Sequence, residues 1–384
     1  MERQQKSGRS LQAGPGEPAG LYVHVPFCSG KCAYCDFFSI TDLGRAADWA
    51  GLVRREAGLL GGSFEPFDTL HLGGGTPSIL GVETLDLLIG TLRRELSFLP
   101  DTEITLEVNP EDVRPEGLSA YRAMGVNRIS MGIQSLDDRV LRFLGRRHSA
   151  VRALGALQDI LNAGFQSVSV DLIYGVPGQD SAGWMETLSC VLEHGPQHIS
   201  CYELTVSPGT LLSERIASGE AFMPDEDDLR AMFLATSRRL EAGGFTHYEV
   251  SNFARPGHES RHNRKYWRRA PYLGLGPGAH SFKHPLRWWN PPSLDLYAEQ
   301  LSLNTRPSDC REVLTPEQDV LERLWLGFRT LDGVDSNDLA GAVHADQIAR
   351  DLERSGLVTR NGPRLVPTTQ GFLVSDRLPL LFAA

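Results

Sequence analysis

Six cysteines in 384 residues are too few for a disulfide scaffold, and three of them crowd into one loop. Thiols kept for such a purpose point to a reducing, cytoplasmic setting. An excess of positive charge is also missing. The formal net charge is −10, which argues against a nucleic-acid surface spread over the molecule, so no nucleic-acid partner is expected. No apolar run approaches the ~20 residues of a membrane span, leaving association as the only membrane contact to consider. Residues 1–19 are polar and rich in glycine and proline, with Arg3, Lys6 and Arg9 but no apolar centre. They read as a disordered tail rather than a secretory signal. Beyond residue 20 there are no repeats and no low-complexity segments.

What is present concentrates in Leu21-Tyr-Val-His-Val-Pro-Phe-Cys-Ser-Gly-Lys-Cys-Ala-Tyr-Cys-Asp-Phe-Phe-Ser39. Cys28, Cys32 and Cys35 form a C-x₃-C-x₂-C array directly after a strand-like run. Three thiolates on one tight loop can hold three corners of a cubane iron–sulfur cluster. Cys190, Cys201 and Cys310 are scattered, so no fourth cysteine closes the set and one iron would keep an open position. The alternatives are a zinc loop, though structural zinc is ordinarily closed by four ligands, or three buried thiols.

This array resembles the signature of the radical S-adenosylmethionine (SAM) enzymes. The resemblance implies a [4Fe-4S] cluster whose open iron is chelated by SAM, and reductive cleavage of a carbon–sulfur bond in SAM. The flanking Tyr22-Val-His-Val-Pro-Phe-Cys28 and Asp36-Phe-Phe-Ser39 are similar to the branch containing oxygen-independent coproporphyrinogen III oxidase.

From Leu21 to about Leu204, β-branched runs alternate with helix-patterned segments. The strands are expected at Leu21–Val25, Thr69–Leu72, Glu103–Val108, Arg128–Gly132, Ser167–Tyr174 and His198–Leu204. This is an α/β pattern with a parallel sheet, and six units suit a partial (β/α)₆ barrel of the radical-SAM kind over residues 20–206. Function then belongs at the C-terminal ends of the strands. An extension region is expected over 207–312, beginning with a long amphipathic helix at Asp225–Gly243. A C-terminal α+β region over 313–384, with helix, helix and a hairpin turning at Asn361-Gly362, resembles a winged-helix module. Its Arg350 and Arg354 are offset by Asp346, Asp351 and Glu353, which reads as a lid or docking unit rather than a DNA reader.

Several strand ends carry residues that the resemblance assigns to SAM. Leu72-Gly-Gly-Gly-Thr-Pro-Ser78 lets backbone approach a ligand without an intervening Cβ. It resembles the family segment that holds SAM's methionyl amino group, which places Gly74, Gly75 and Thr76 there. Glu107 and Asp171 each sit in apolar runs, where a carboxylate needs a partner; a partnered structural role is open for Glu107. The resemblance puts Glu107 on SAM and Asp171 on its ribose hydroxyls. Gln134 offers a neutral amide, and Arg146 a guanidinium suited to a carboxylate, with neighbouring Arg147 as the rival. Tyr22 matches a SAM-contacting tyrosine, or else is a core aromatic.

Downstream, Arg261-His-Asn-Arg-Lys-Tyr-Trp-Arg-Arg269 combines an imidazole, two aromatics and five cations. An imidazole can ligate haem iron, aromatic faces suit a porphyrin plane, and arginines suit propionates. A solvated basic loop and a zinc pair of His258 with His262 are the alternatives. Gly274, Gly276 and Gly278 are expected on the rim of the site.

True coproporphyrinogen oxidases carry C-x₃-C-x₂-C-x-C. The last position here is Phe37, as in the oxidase's relatives of the HemW type, which are haem chaperones and share the His-Asn-x-x-Tyr-Trp segment found at 262–267. The resemblance therefore implies haem as ligand, His262 as its contact, and acceptor haemoproteins as partners, membrane-bound respiratory enzymes and a homodimeric assembly among the options. The competing expectation is oxidative decarboxylation of coproporphyrinogen III, against which Phe37 counts.

Overall fold

Alternation with period two sorts each strand of the barrel into an apolar and a polar face, and the two faces meet different neighbours. In the computed structural model, which describes residues 17–60, 62–64 and 66–382, six parallel strands pair in chain order. They are β1 (Ala19–Val25), β2 (Phe67–Gly74), β3 (Phe98–Val108), β4 (Arg128–Gln134), β5 (Ser167–Tyr174) and β6 (His198–Glu203). Most of the expected tail lies outside the described residues, but its last residue, Ala19, already belongs to β1.

Leu21, Val23 and Val25 of β1 face outward, as do Leu70 and Leu72 of β2, Ile104 and Leu106 of β3, and Val168 and Val170 of β5. They pack against Trp49 and Val53, Leu85 and Leu88, Ala156 and Ile160, and Trp184 and Leu188 of the intervening helices. Each such side chain stabilises the fold by about 1.5–3 kcal/mol. The inward faces are polar: Tyr22, His24, His71, Thr105, Glu107, Arg128, Ser130, Ser169, Asp171, His198 and Ser200 border a cavity. A closed (β/α)₈ barrel fills its lumen with apolar layers; this one leaves space.

The alternation ends near Ser207, as expected, yet strands continue. Tyr272–Leu275 (here β9) runs parallel to β1, and His280–Lys283 (β10), Leu286–Trp289 (β11) and Cys310–Val313 (β12) follow it antiparallel. At the other edge Asn252–Ala254 (β8) pairs antiparallel with β6, and Thr246–Glu249 (β7) completes a sheet of 12 strands. These strands have only three or four residues each, too short to give a readable period. The sheet keeps two edges, so the barrel is open.

One short helix, Arg261–Trp267, closes the end of the lumen opposite the cysteine loop. Ser260 caps it by accepting from the Asn263 amide. His262 donates its backbone N–H to Glu103 (3.2 Å), and Arg261 and Lys265 both pair with Asp68 (3.4 and 2.7 Å). Both acids come from barrel strands, Asp68 from β2 and Glu103 from β3.

The C-terminal unit has its own small core of Leu324, Phe328, Val334, Leu352, Val358 and Leu365. Its helices are Pro316–Phe328 and Ala345–Arg354, with a three-stranded sheet of Val334–Asp335, Arg364–Pro367 and Val358–Asn361. Between the two helices lies a 3₁₀ turn, Ser336–Leu339, held by the Asp335 side chain.

Candidate cofactor and ligand site

The cysteine loop leaves β1 at Val25 and is tied down at both ends. Cys28 donates its N–H to the Ile40 carbonyl (3.0 Å), and the Ala33 N–H reaches Leu144 O (3.1 Å). The glycine run after β2 packs directly beneath it, with Gly75 N donating to Val25 O (2.8 Å) and Thr76 N to Phe27 O (2.7 Å). A Cβ at Gly75 would lie 2.5 Å from Val25 O, and Gly74 adopts φ +99° with His24 against it. Glycine is required at both positions.

Each thiol has donors around it. Thr76 Oγ1 donates to Cys28 Sγ (3.6 Å) and Arg146 Nη1 to Cys32 Sγ (3.5 Å). A further hydrogen bond reaches Cys35 from the Phe37 backbone. Burial pushes the Cys28 and Cys35 thiols up, and the neighbouring thiols raise them further. Among the described residues, no three of His, Cys, Asp or Glu converge as one metal ion demands. Thiols spread over one loop, each met by a hydrogen-bond donor, fit a cubane.

Arg146 also donates to the Gly132 carbonyl (2.9 Å) and to Asn109, which in turn donates to Thr76 (3.0 Å). Arg147 is exposed; only Arg146 reaches the loop. Gln134 sits at an irregularity in β4 with φ +66°, and its amide lies over Gly132 beside Arg146. Gly75, Thr76, Gln134 and Arg146 therefore stand behind the thiols rather than on the cavity wall.

Tyr22, Gly74, Glu107, Asp171 and His262 line one continuous cavity of about 850 Å³ together with Lys31, Phe37, Phe38, Tyr266 and Tyr272. Pockets for small molecules run to ~1,000 Å³. Glu107 accepts from Gly74 N (3.2 Å) and shares a hydrogen bond with His71 Nε2 (2.9 Å). Its carboxylate is thus partnered and still borders the cavity. Asp171 accepts from Ser130 Oγ (3.0 Å), and burial lifts its carboxyl to about 6. Tyr22 OH shares a hydrogen bond with His24 Nδ1 (3.1 Å), and His24 Nε2 bonds the Phe38 carbonyl (2.8 Å). Burial, helped by the Glu107 charge, holds the Tyr22 phenol above its usual range. The hydroxyl of Thr105 and Nδ1 of His71 are buried without partners, a sign that this wall is finished by a ligand.

At the floor, His262 is 1% exposed. Its Nδ1 bonds Thr69 Oγ1 (2.8 Å) and its Nε2 bonds Tyr266 OH (2.7 Å). Burial, followed by His71 and Lys265, keeps the imidazole neutral. Both nitrogens of His262 are thus engaged inside the protein. The five cations of this segment are each paired with an acid, several of them still part-exposed. Arg261 and Lys265 pair with Asp68, Arg264 and Arg268 with Asp332, and Arg269 with Asp319 and Glu322 (3.1 Å). The acids come from β2 and from the C-terminal unit, distant in sequence. Of the three glycines expected on the rim, Gly278 lines the cavity. Gly274 and Gly276 instead let β9 and its loop approach His280 and His24.

Reading the strands for polar residues at every second position would have found His24, His71, Ser130, Ser169, His198 and Ser200. Glu56 carried no such signal. It is fully buried on the helix Ala46–Leu60 and receives bonds from Gly276 N (2.9 Å), Asn290 Nδ2 (2.7 Å) and Tyr297 OH (2.6 Å). Burial lifts its carboxyl to about 7.

An open parallel barrel with a three-cysteine loop over a polar lumen defines a radical SAM protein, and residues 22–191 match the Radical SAM superfamily. Membership implies a [4Fe-4S] cluster and SAM. Over its length the chain is 39% identical to the heme chaperone HemW of Mycobacterium tuberculosis, covering 94% of each chain. It is 30% identical to HemW of Bacillus subtilis, covering 93% of this chain and 97% of that one. The chain belongs to the HemW family. Among solved structures, coproporphyrinogen III oxidase (HemN) from Escherichia coli, a radical SAM enzyme, shares the fold with TM-score 0.81 and 25% identity, covering 97% of this chain and 92% of that one.

Proposed function

We propose that this protein is a haem chaperone that binds haem in the lumen and delivers it to acceptor haemoproteins. The observation that carries the reading is the continuity of one cavity from the cysteine loop to His262 and Tyr266, in a chain 39% identical to a heme chaperone over nearly its whole length. A cluster with SAM would supply one-electron chemistry at the mouth. Cys28, Cys32 and Cys35 would hold the cluster. Gly74, Gly75, Thr76, Glu107, Gln134, Arg146, Asp171 and Tyr22 would surround SAM, some on the wall and some behind the thiols.

His262 is the candidate contact to haem iron. Releasing its Nε2 requires the Tyr266 hydroxyl to move, while Thr69 keeps Nδ1 and so fixes the ring. Tyr266 and Tyr272 offer the flat apolar faces. The unit over 313–384 is read as a lid or docking module for the acceptor, with membrane-bound respiratory enzymes as one class of acceptor and a homodimer as one form of the chaperone. Among the described residues no helix is long and apolar enough to cross a membrane, and a cytoplasmic location belongs to the same proposal.

The test is to reconstitute the cluster without oxygen and titrate haem into wild type and His262→Ala. A haem absorption band that weakens at least tenfold in the variant is expected. A band formed equally by both removes His262 from the site, and turnover of coproporphyrinogen III replaces the chaperone with the oxidase.

A further inference from the structure

The acids that neutralise Arg261, Arg264, Lys265, Arg268 and Arg269 leave the lumen with few cations of its own: Lys31 at the exposed mouth and Arg128 deep inside. Arg128 is 3% exposed. Its Nη1 donates to Ser167 Oγ (2.8 Å) and to the His258 carbonyl (3.0 Å), both neutral. Among the described residues it forms no ion pair. An arginine cannot shed its proton, so a buried guanidinium without a counter-ion is costly unless something neutralises it in the working state.

The surroundings point the same way. Thr105 is the register partner of Arg128 across β3 and β4, and its hydroxyl is buried without a partner. Ser130, Ser169 and His198 continue this wall of the cavity. His198 is fully engaged, by Ser169 Oγ (2.7 Å) and Tyr248 OH (2.8 Å), and burial keeps it neutral. A cation and an idle hydroxyl therefore stand side by side on this wall; Asp171, further along it, feels the Arg128 charge but forms no ion pair with it.

We infer that Arg128 and Thr105 form a receptor for a carboxylate of the lumen ligand, and that this carboxylate is a propionate of the porphyrin. The assignment rests on the haem reading. The guanidinium fork matches a carboxylate in shape as well as charge, and Thr105 adds one further donor. It makes the floor select an acidic tetrapyrrole rather than any flat apolar molecule.

The experiment compares two porphyrins. Iron protoporphyrin IX and its dimethyl ester are titrated by absorbance into the reconstituted full chain, as wild type, Arg128→Gln, Arg128→Lys and Thr105→Val. Wild type should favour the diacid. Arg128→Gln should lose that preference by about 10- to 100-fold, the value of charge-assisted hydrogen bonds. Its affinity for the ester should stay within about twofold, which also reports an intact lumen. Arg128→Lys should keep part of the preference, and Thr105→Val should lose up to about tenfold. Should Arg128→Gln not fold, Thr105→Val and Arg128→Lys decide. SAM also carries a carboxylate, so its affinity is measured in parallel and should not change.

An undiminished diacid preference in the variants overturns the receptor while leaving haem binding in place, as does a loss of SAM affinity with the preference intact. Wild type that binds neither porphyrin overturns the haem reading itself.

Discussion

At the mouth of the lumen, Cys28, Cys32 and Cys35 come from one short loop held by backbone hydrogen bonds to Ile40 and Leu144. At the floor, His262 meets Thr69, Glu103 and Tyr266, and the neighbouring cations are neutralised by Asp68, Asp319, Glu322 and Asp332. The mouth is local in sequence and supplies soft, ionisable ligands. The floor is assembled from remote residues, and its His262 and the cations around that histidine are already partnered. A cluster of thiols can thus be written into a dozen residues, whereas a cavity of this size takes side chains from the whole barrel.

If the two ends are separable, damage at one should spare the other. Cys32→Ala should abolish cluster assembly on anoxic reconstitution, read as loss of bound iron and sulfide, while haem titration at the floor stays close to wild type. Failure of both together would merge the ends. His262→Ala removes a buried imidazole and strands the hydroxyls of Thr69 and Tyr266. It should destabilise the fold by about 3 kcal/mol in a urea titration, with iron and sulfide content unchanged.

Glu56 probes the join between the ends, since it holds the Gly276 loop that presses on His24. Its folded pKa of about 7 lies above its ordinary 4.5, so ionisation costs stability. The cost is absent below pH 4.5, grows as the pH rises towards 7, and is constant above that. It amounts to something on the order of 3 kcal/mol. Glu56→Gln should flatten this slope in a series of thermal melts; an unchanged slope would assign it to another group. The smallest effect is expected at Asp332→Asn, which releases Arg264 and Arg268. These pairs are about 30% exposed and should contribute about 1 kcal/mol or less. A larger loss would mean that the C-terminal unit braces the floor.

Much of this was legible beforehand. Apolar alternation gave β1 to β6 and the helices between them, because each outward face had to be buried against a helix. The thiols, Glu107 and Asp171 stood out as groups that their strands alone could not satisfy. The strands β7 to β12 were missed because three or four residues carry no period. The cations of 261–269 were misjudged because their acids lie far off in the chain. Arg147 could not be told from Arg146 until the turn after Leu144 aimed one at Cys32 and the other at solvent.

The sequence by itself determined the cysteine loop, the parallel barrel and the family, since spacing and period are properties of neighbouring residues. Which charges are spent and which remain was set by how the strands and helices pack. Arg269 and Arg128 are the same side chain in the sequence. One is paired with Asp319 and Glu322, the other faces the lumen with only neutral hydrogen-bond partners, because electrostatic energy depends on distance in space and not along the chain.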